Sequence, residues 1–182
     1  MRKLLVTGGA GFIGSNFVRY WLERHPEDKI TVLDALTYAG HLENLEDVKN
    51  DPRFSFVQGD IRNADDVRKP VEEADMVVNF AAESHVDRSI KEPEAVLNTN
   101  IMGVFVLVEA AKKSGVERVI QISTDEVYGD VEVGSSRETD PVSPNSPYSA
   151  GQAGGALLAL AYYRTSGAGA FTHLTHHATA AL

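Results

Sequence analysis

The sequence predicts an α/β fold, an open parallel sheet wound with helices on both of its faces. Two observations support this prediction. Short apolar runs alternate along the chain with amphipathic stretches of helical period, and such alternation favours parallel pairing of the strands. The apolar runs are also nearly continuous, which is typical of strands that helices cover on both faces.

The elements follow one another in a regular order. Strands are predicted at residues 3–6, 29–33, 54–58, 76–80 and 118–123, and helices at residues 13–24, 64–73, 94–114 and 147–164. The helix at 94–114 repeats apolar residues at helical spacing and ends at Gly115. Ser146 can cap the last helix, and Pro147 suits its first turn. We place one domain at residues 1–165, and we expect residues 166–182 to form either a last strand near 170–174 or a disordered tail.

Composition limits the classes of function. The net charge of -9 argues against binding to nucleic acid or to an anionic membrane surface. The sequence contains no cysteine, which excludes disulfides and thiolate metal sites. No apolar run approaches the length of a membrane span, and the short apolar start runs into glycines, unlike a signal peptide. We therefore expect a cytoplasmic enzyme.

A glycine-rich turn follows the first strand. The stretch TGGAGFIG places Gly8, Gly11 and Gly14 between a strand and a helix, with Phe12 and Ile13 inside the same turn. Such a turn lets the backbone approach a pyrophosphate, and the helix N-terminus favours its negative charge. We interpret this stretch as a dinucleotide site in a Rossmann-type domain, the alternative being an ordinary glycine-rich turn.

Asp34 ends the second predicted strand at the spacing of a carboxylate that binds the adenine ribose hydroxyls. Its charge would repel a 2′-phosphate, so it favours NAD over NADP. The alternative is a turn residue that caps the next segment.

Two further groups are predicted to line the cofactor site. Asp60 and Ile61 follow the third strand, where the carboxylate can meet the adenine amino group and Ile61 can cover the ring. The alternative for Asp60 is a helix N-cap. Phe80, Ala81 and Ala82 end the fourth strand, and the small residues leave room for a cofactor.

The chemistry is predicted at the carboxyl ends of the fourth and fifth strands, where open parallel sheets bind ligands. Thr124, Asp125 and Glu126 leave the fifth strand directly. Consecutive carboxylates beside a dinucleotide can divide the roles of acid and base between them. The alternative is a solvated acidic loop.

Four stretches together resemble the extended short-chain dehydrogenase/reductases, and within them the dTDP-glucose 4,6-dehydratases: TGGAGFIG, AAESHVDRS, STDEVYG and NSPYSA. The resemblance, which runs to about residue 164, implies that Tyr148 takes the proton of the sugar C4 hydroxyl while Thr124 hydrogen-bonds that hydroxyl. It implies that Glu126 is the base at C5 and Asp125 the acid at C6, with NAD oxidising C4 and then reducing C6. It also implies that Thr37, Ser84 and Thr99 contact NAD. By resemblance alone, helices 94–114 and 147–164 would form a homodimer.

The chain departs from this family in two places. Gln152 occupies the position of the family's lysine, which contacts the nicotinamide ribose and lowers the tyrosine pKa. The sequence also ends at about half the family's length, so we expect most of the sugar-nucleotide domain to be absent. We therefore expect NAD binding with impaired dehydratase (lyase) activity. The alternatives are a non-catalytic NAD-binding fragment, or another dehydratase or epimerase of the superfamily.

Histidines at 173, 176 and 177 have the residue type and spacing of metal ligands. We interpret them as part of the tail and predict no metal site.

Overall fold

The structure is a computed structural model that describes residues 1–166. Its five strands are β1 (Lys3–Thr7), β2 (Lys29–Asp34), β3 (Phe54–Gln58), β4 (Met76–Asn79) and β5 (Arg118–Gln121). They form one sheet in the order β3-β2-β1-β4-β5, and every adjacent pair is parallel. The order reverses at β1, so the predicted doubly wound sheet is confirmed. A crevice is expected at this reversal, where the loops after β1 and β4 diverge.

The helices are α1 (Phe12–Arg24), α2 (Ala64–Glu72), α3 (Val86–Lys91), α4 (Pro93–Val96), α5 (Val104–Ser114) and α6 (Pro147–Ser166). Single 3-10 turns lie at Leu42–Leu45 and Asp125–Tyr128, and a π-helical segment, Leu97–Gly103, joins α4 to α5. Neither α3 nor the π-helical segment is predicted from the sequence, because both lie in stretches whose apolar spacing is also compatible with a loop or a plain α-helix.

Helices cover both faces of the sheet. On one face Leu5, Leu33 and Val77 are fully buried and pack with α2 and α5 through a cluster that includes Val67 and Leu107. On the other face the alternate strand residues pack with α1; this second cluster includes Leu4, Val6, Ile30, Val32, Val18 and Leu22. Because both faces of each central strand are buried, the strands read as continuous apolar runs.

The helix formed by residues 93–114 is long and apolar enough to span a membrane by length and composition alone. Several of its buried residues, among them Val104, Leu107 and Ala111, belong to the core cluster on the sheet. Packing within the domain therefore accounts for this buried part of its apolar surface.

Several predicted ends differ from the observed ones. Three elements end later than predicted: β1 at Thr7 instead of residue 6, β2 at Asp34 instead of 33, and α6 at Ser166 instead of 164. Three end earlier: β4 at Asn79 instead of 80, β5 at Gln121 instead of 123, and α2 at Glu72 instead of 73. Beyond β4 the chain passes close to the glycine turn, so that a Cβ on Gly8 would lie 2.5 Å from the Ala81 nitrogen. Side chains provide further hydrogen bonds at this point. The Ala81 N–H donates to the Asn79 amide oxygen at 3.2 Å, and Asn79 Nδ2 donates to Gln121 Oε1 at 2.7 Å. Phe80, Ala81 and Ala82 thus follow the strand rather than end it.

The start of α6 is confirmed. The Ser149 N–H donates to Ser146 Oγ at 3.0 Å, and the Ser146 N–H donates to Ser149 Oγ at 3.0 Å. This reciprocal pair is a variant of the capping box, with serine at the position of the usual acidic residue or glutamine. The predicted strand at 170–174 and the histidines at 173, 176 and 177 lie outside the described residues.

Candidate functional site

A cleft of about 350 Å³ opens at the carboxyl ends of the strands. All of the predicted cofactor-contacting residues line it: Gly8, Gly11, Phe12, Ile13, Gly14, Asp34, Thr37, Asp60, Ile61, Phe80, Ala81, Ala82, Ser84, Thr99, Tyr148 and Gln152. They come from the loops after four strands and from α6, which is far away in sequence. The fold thus brings together in one place residues that the sequence pattern selects separately.

The turn after β1 forms the floor of the cleft. Gly8 has φ +69, a conformation that other residues rarely adopt. A Cβ on Gly14 would lie 2.4 Å from the Gly8 carbonyl oxygen, so the turn and α1 can pack this closely only without side chains. Gly11 is the N-cap of α1 and provides no side-chain cap, so the helix start faces the cleft with backbone alone. This arrangement suits a pyrophosphate group.

Asp34 lies at the end of β2 and is only 7% exposed. One carboxylate oxygen accepts from the Ala10 N–H at 2.9 Å and the other from the Leu36 N–H at 2.8 Å. The contact with the Leu36 N–H caps the turn after β2, which is the alternative role predicted for Asp34 from the sequence. Asp34 therefore has this role. This role does not exclude a ribose contact, because each carboxylate oxygen can accept a further hydrogen bond.

Asp60 does not cap a helix. The N-cap of α2 is Asn63, whose side chain accepts from the Asp65 N–H, so the capping alternative for Asp60 is wrong. Asp60 instead accepts from the Arg62 guanidinium, at 2.9 Å from Nε and 2.6 Å from Nη2. This hydrogen-bonded cation lowers the pKa of the Asp60 carboxyl and keeps it ionised beside the cleft.

The loop after β4 is fixed by Asn100, a residue that the sequence reading did not select. Its side-chain oxygen accepts from the Glu83 N–H at 2.8 Å and its amide donates to the Glu83 carbonyl at 3.0 Å. Asn100 is 2% exposed and lies in the π-helical segment, next to the cleft residue Thr99. A single-turn π segment re-aims side chains within a helix and often marks a functional site. In the sequence, the only indication of this role is an asparagine within a predicted apolar helix.

Other cleft residues were also missed: Leu33, Ala35, Ala39, Gly40, Gly59, Arg62, Glu83, Ile122 and Ser123. Most of them directly neighbour a predicted residue, so strand ends alone could have indicated them. Ser123 Oγ is buried, and among the described residues it is a side-chain oxygen without a hydrogen-bond partner in the protein. A buried hydroxyl of this kind, in the wall of a cleft, is compatible with a ligand contact.

The predicted catalytic residues meet beside the cleft. Tyr148 is partly buried near the start of α6, and the side chains of Thr124 and Gln152 lie near enough to its hydroxyl to lower its pKa. Asp125 and Glu126 lie in the 3-10 turn after β5, and both are exposed. Because β5 ends at Gln121, two residues earlier than predicted, they do not leave the strand directly. The fold therefore places the threonine, the tyrosine and the glutamine close together, with both carboxylates adjacent.

The electrostatics of this group oppose ionisation of the tyrosine. Burial raises the pKa of Tyr148, and the negative charge of Glu126 raises it further. The side chains of Thr124 and Gln152 act in the opposite direction but do not outweigh burial. Tyr148 is thus predominantly protonated near neutral pH.

A family model described as GDP-mannose 4,6 dehydratase matches residues 5–179. The chain belongs to this family. A dTDP-glucose 4,6-dehydratase of Mycobacterium tuberculosis is 52% identical over 168 residues, which cover 91% of this chain and 50% of that protein. The low-salt glycan biosynthesis protein Agl12 of Haloferax volcanii is 52% identical over 162 residues, covering 89% of this chain and 52% of that protein.

Among solved structures, the dehydratase family member DesIV of Streptomyces venezuelae, a dTDP-glucose 4,6-dehydratase with NAD bound, matches with a TM-score of 0.89 and 50% identity. The match covers 93% of this chain and 54% of that one. The chain thus spans about half the length of the relatives that it matches.

Proposed function

We propose that the cleft binds NAD and that the chain is the cofactor-binding half of a sugar-nucleotide 4,6-dehydratase acting on dTDP-glucose. The observation that carries the NAD proposal is the glycine turn, with Gly8 at φ +69 against Ala81 and a buried carboxylate, Asp34, at the end of the neighbouring strand. The relatives' names and the NAD-bound structural match support the substrate and the cofactor. When bound, NAD would accept a hydride from the sugar and return it.

The residues of this chain would then move the protons. Tyr148, held by Thr124, would take the proton of the C4 hydroxyl. Oxidation at C4 acidifies the hydrogen at C5, which Glu126 would remove, while Asp125 would protonate the departing C6 hydroxyl. Both carboxylates stand in one turn beside the tyrosine, so acid and base could act on adjacent carbons. Both roles are inferred from the family resemblance and from this placement.

Gln152 limits the proposed activity. In place of a cation it offers an uncharged amide, which is 7% exposed and lies near the Tyr148 hydroxyl. We therefore propose that this chain binds NAD and turns over slowly. The second candidate is a non-catalytic NAD-binding module, which the raised pKa of Tyr148 favours. An epimerase is disfavoured, because its reaction includes no elimination. It therefore needs neither a base such as Glu126 nor an acid such as Asp125.

Incubation with dTDP-glucose, followed by detection of the 4-keto product in alkali, separates these candidates. Product formation that depends on Glu126 supports the dehydratase. Bound NAD without any product supports the binding module.

We also propose a homodimer and a cytoplasmic location. Leu97, Met102 and Phe105 on the helix of residues 93–114 are 46%, 51% and 38% exposed, and Leu157 and Tyr163 on α6 are 51% and 43% exposed. Exposed apolar side chains on two packed helices favour an interface. Sedimentation at equilibrium would test it: a monomer at all concentrations contradicts the proposal.

A further inference from the structure

A contact between two loops crosses the cleft. The Tyr38 hydroxyl accepts from the Ser84 N–H at 3.2 Å and lies 3.3 Å from Ser84 Oγ. The Tyr38 ring also contacts the His85 ring at 5.1 Å between centroids, and the Arg88 guanidinium lies 5.3 Å from its centre. We refer to these contacts between Tyr38 and residues 84–88 as the Tyr38 bridge.

The topology of the sheet determines where the Tyr38 bridge runs. Tyr38 belongs to the loop after β2 and Ser84 to the loop after β4, and β1 lies between these two strands. Strands that are separated by one neighbour lie about 10 Å apart. The bridge therefore passes in front of the turn after β1, which contains Gly8 and Gly11. The two loops, the bridge and this turn together form a ring at the centre of the cleft, which extends on to the loop after β3 and to α6.

The ring encloses the wall that the proposed dinucleotide would contact. Thr37 and Ala39, on either side of Tyr38, line the cleft, and so do Glu83 and Ser84 on the opposite loop. A pyrophosphate on the glycine turn would lie inside the ring. An extended dinucleotide could then enter or leave only when the bridge opens.

One side of the ring is fixed. Asn100 holds the Glu83 backbone by two hydrogen bonds, next to Ser84. A loop held in this way by a buried side chain is expected to move little, so the Ser84 side forms the stationary half.

The Tyr38 side is held near its two ends, and Leu36 also packs against the apolar core of the sheet. The Ala10 N–H donates to Asp34 at the start of this loop, and the His41 N–H donates to the Ala10 carbonyl at its end, at 3.1 Å. Between these points Tyr38 is 38% exposed. Opening therefore requires loss of the bridge contacts, while both ends of the loop can stay in place.

We propose that the Tyr38 bridge closes over the bound dinucleotide and controls the rate of its exchange. Tyr38 is thus a retention residue, distinct from the residues proposed for the chemistry. The proposal rests on the proposed NAD binding and adds a kinetic property to it: release should be slowed by the contacts that close the ring, independently of those that the cofactor itself makes.

The test is the rate at which bound NAD leaves Tyr38→Phe, measured by chasing labelled NAD with an excess of unlabelled NAD. This change removes the hydroxyl contacts with Ser84 and keeps the ring contacts with His85 and Arg88. Release should become about fivefold faster, the effect of one ordinary hydrogen bond. Association should also become faster, because a gate slows both directions.

Tyr20→Phe is the matched control. Tyr20 is an exposed tyrosine on α1 with Arg24 placed 5.4 Å from its ring centre, similar to Arg88 over Tyr38. It should leave NAD exchange unchanged. Equal release rates in Tyr38→Phe and the unaltered chain would overturn the proposal, as would faster release from both variants. A chain that binds no NAD in direct titration would refute the proposed function itself, a result that is distinct from unchanged exchange.

Discussion

Replacing Gln152 by lysine should restore a low pKa to Tyr148. The two residues lie one turn apart on α6, and the Gln152 side chain already lies near the Tyr148 hydroxyl. An ammonium at this position would lie about 5 Å from the phenolate oxygen, which is worth about 3 kcal/mol at an effective dielectric constant of about 20. That energy favours the phenolate and lowers the pKa of Tyr148. Gln152 is 7% exposed, so solvent screens this interaction weakly.

The sign of the pH dependence follows from the same contacts. Because burial and Glu126 raise the pKa of Tyr148 above its ordinary value, the phenolate fraction should rise tenfold per pH unit between pH 7 and 9 in the unaltered chain. In Gln152→Lys the same rise should be displaced to lower pH. If proton removal from C4 limits the rate, product formation near pH 7.5 should increase about tenfold, since the lower basicity of the phenolate offsets part of the gain in its population.

The assay has two readouts. Tyrosinate absorbance, with the signal of Tyr148→Phe subtracted, reports the pKa directly, and the 4-keto product from dTDP-glucose reports turnover. Gln152→Met, similar in length and uncharged, is the control and should not lower the pKa. An unchanged Tyr148 titration in Gln152→Lys, or an equal shift in Gln152→Met, would refute the reasoning.

The remaining predictions concern the cleft and its supports. Gly8→Ala should weaken NAD binding at least a hundredfold in titration calorimetry, because its Cβ would lie 2.5 Å from the Ala81 nitrogen; Gly115→Ala, with the same φ of +69 but no atom within 4 Å, should cost only about 1 kcal/mol of stability and leave binding unchanged. Equal binding losses in the two variants would contradict this. Asn100→Ala should lower the free energy of unfolding by about 2 kcal/mol, since it leaves both Glu83 groups without their partner; denaturant titration with an unchanged midpoint would count against this role. Gly155→Ala should destabilise α6 by about 1–3 kcal/mol, because its Cβ would meet the Asn100 carbonyl oxygen at 2.2 Å, and a thermal midpoint equal to that of the unaltered chain would argue the opposite.

Local patterns predicted the sheet and most of the helices. Strands such as β1 and β4 are buried on both faces, so each appears as an unbroken apolar run, and the glycine turn marks where β1 ends. The ends of β4 and β5 were less predictable, because they depend on the contact between Gly8 and Ala81 and on the Asn79 side chain. Gly8 and Ala81 are 73 positions apart, and Asn79 and Gln121 are 42 apart, separations that no local pattern contains.

The cleft shows the same division. Residues at strand ends, such as Asp34 and Asp60, could be selected because a parallel sheet collects those ends at one edge. Asn100 and Tyr38 could not, since each contacts a loop residue that is distant from it in sequence, by 17 positions for Asn100 and Glu83 and by 46 for Tyr38 and Ser84. The partners of Asp60 were likewise not predictable: an aspartate before a helix suggests a cap, but Asn63 takes that position and leaves Asp60 to Arg62.

Titration of the chain with NAD and, separately, with NADP tests the central claim most directly. The account predicts one NAD bound per chain and much weaker binding of NADP, because the proposed ribose contact would bring a 2′-phosphate against the negative charge of Asp34. Absence of NAD binding, or a preference for NADP, would contradict it.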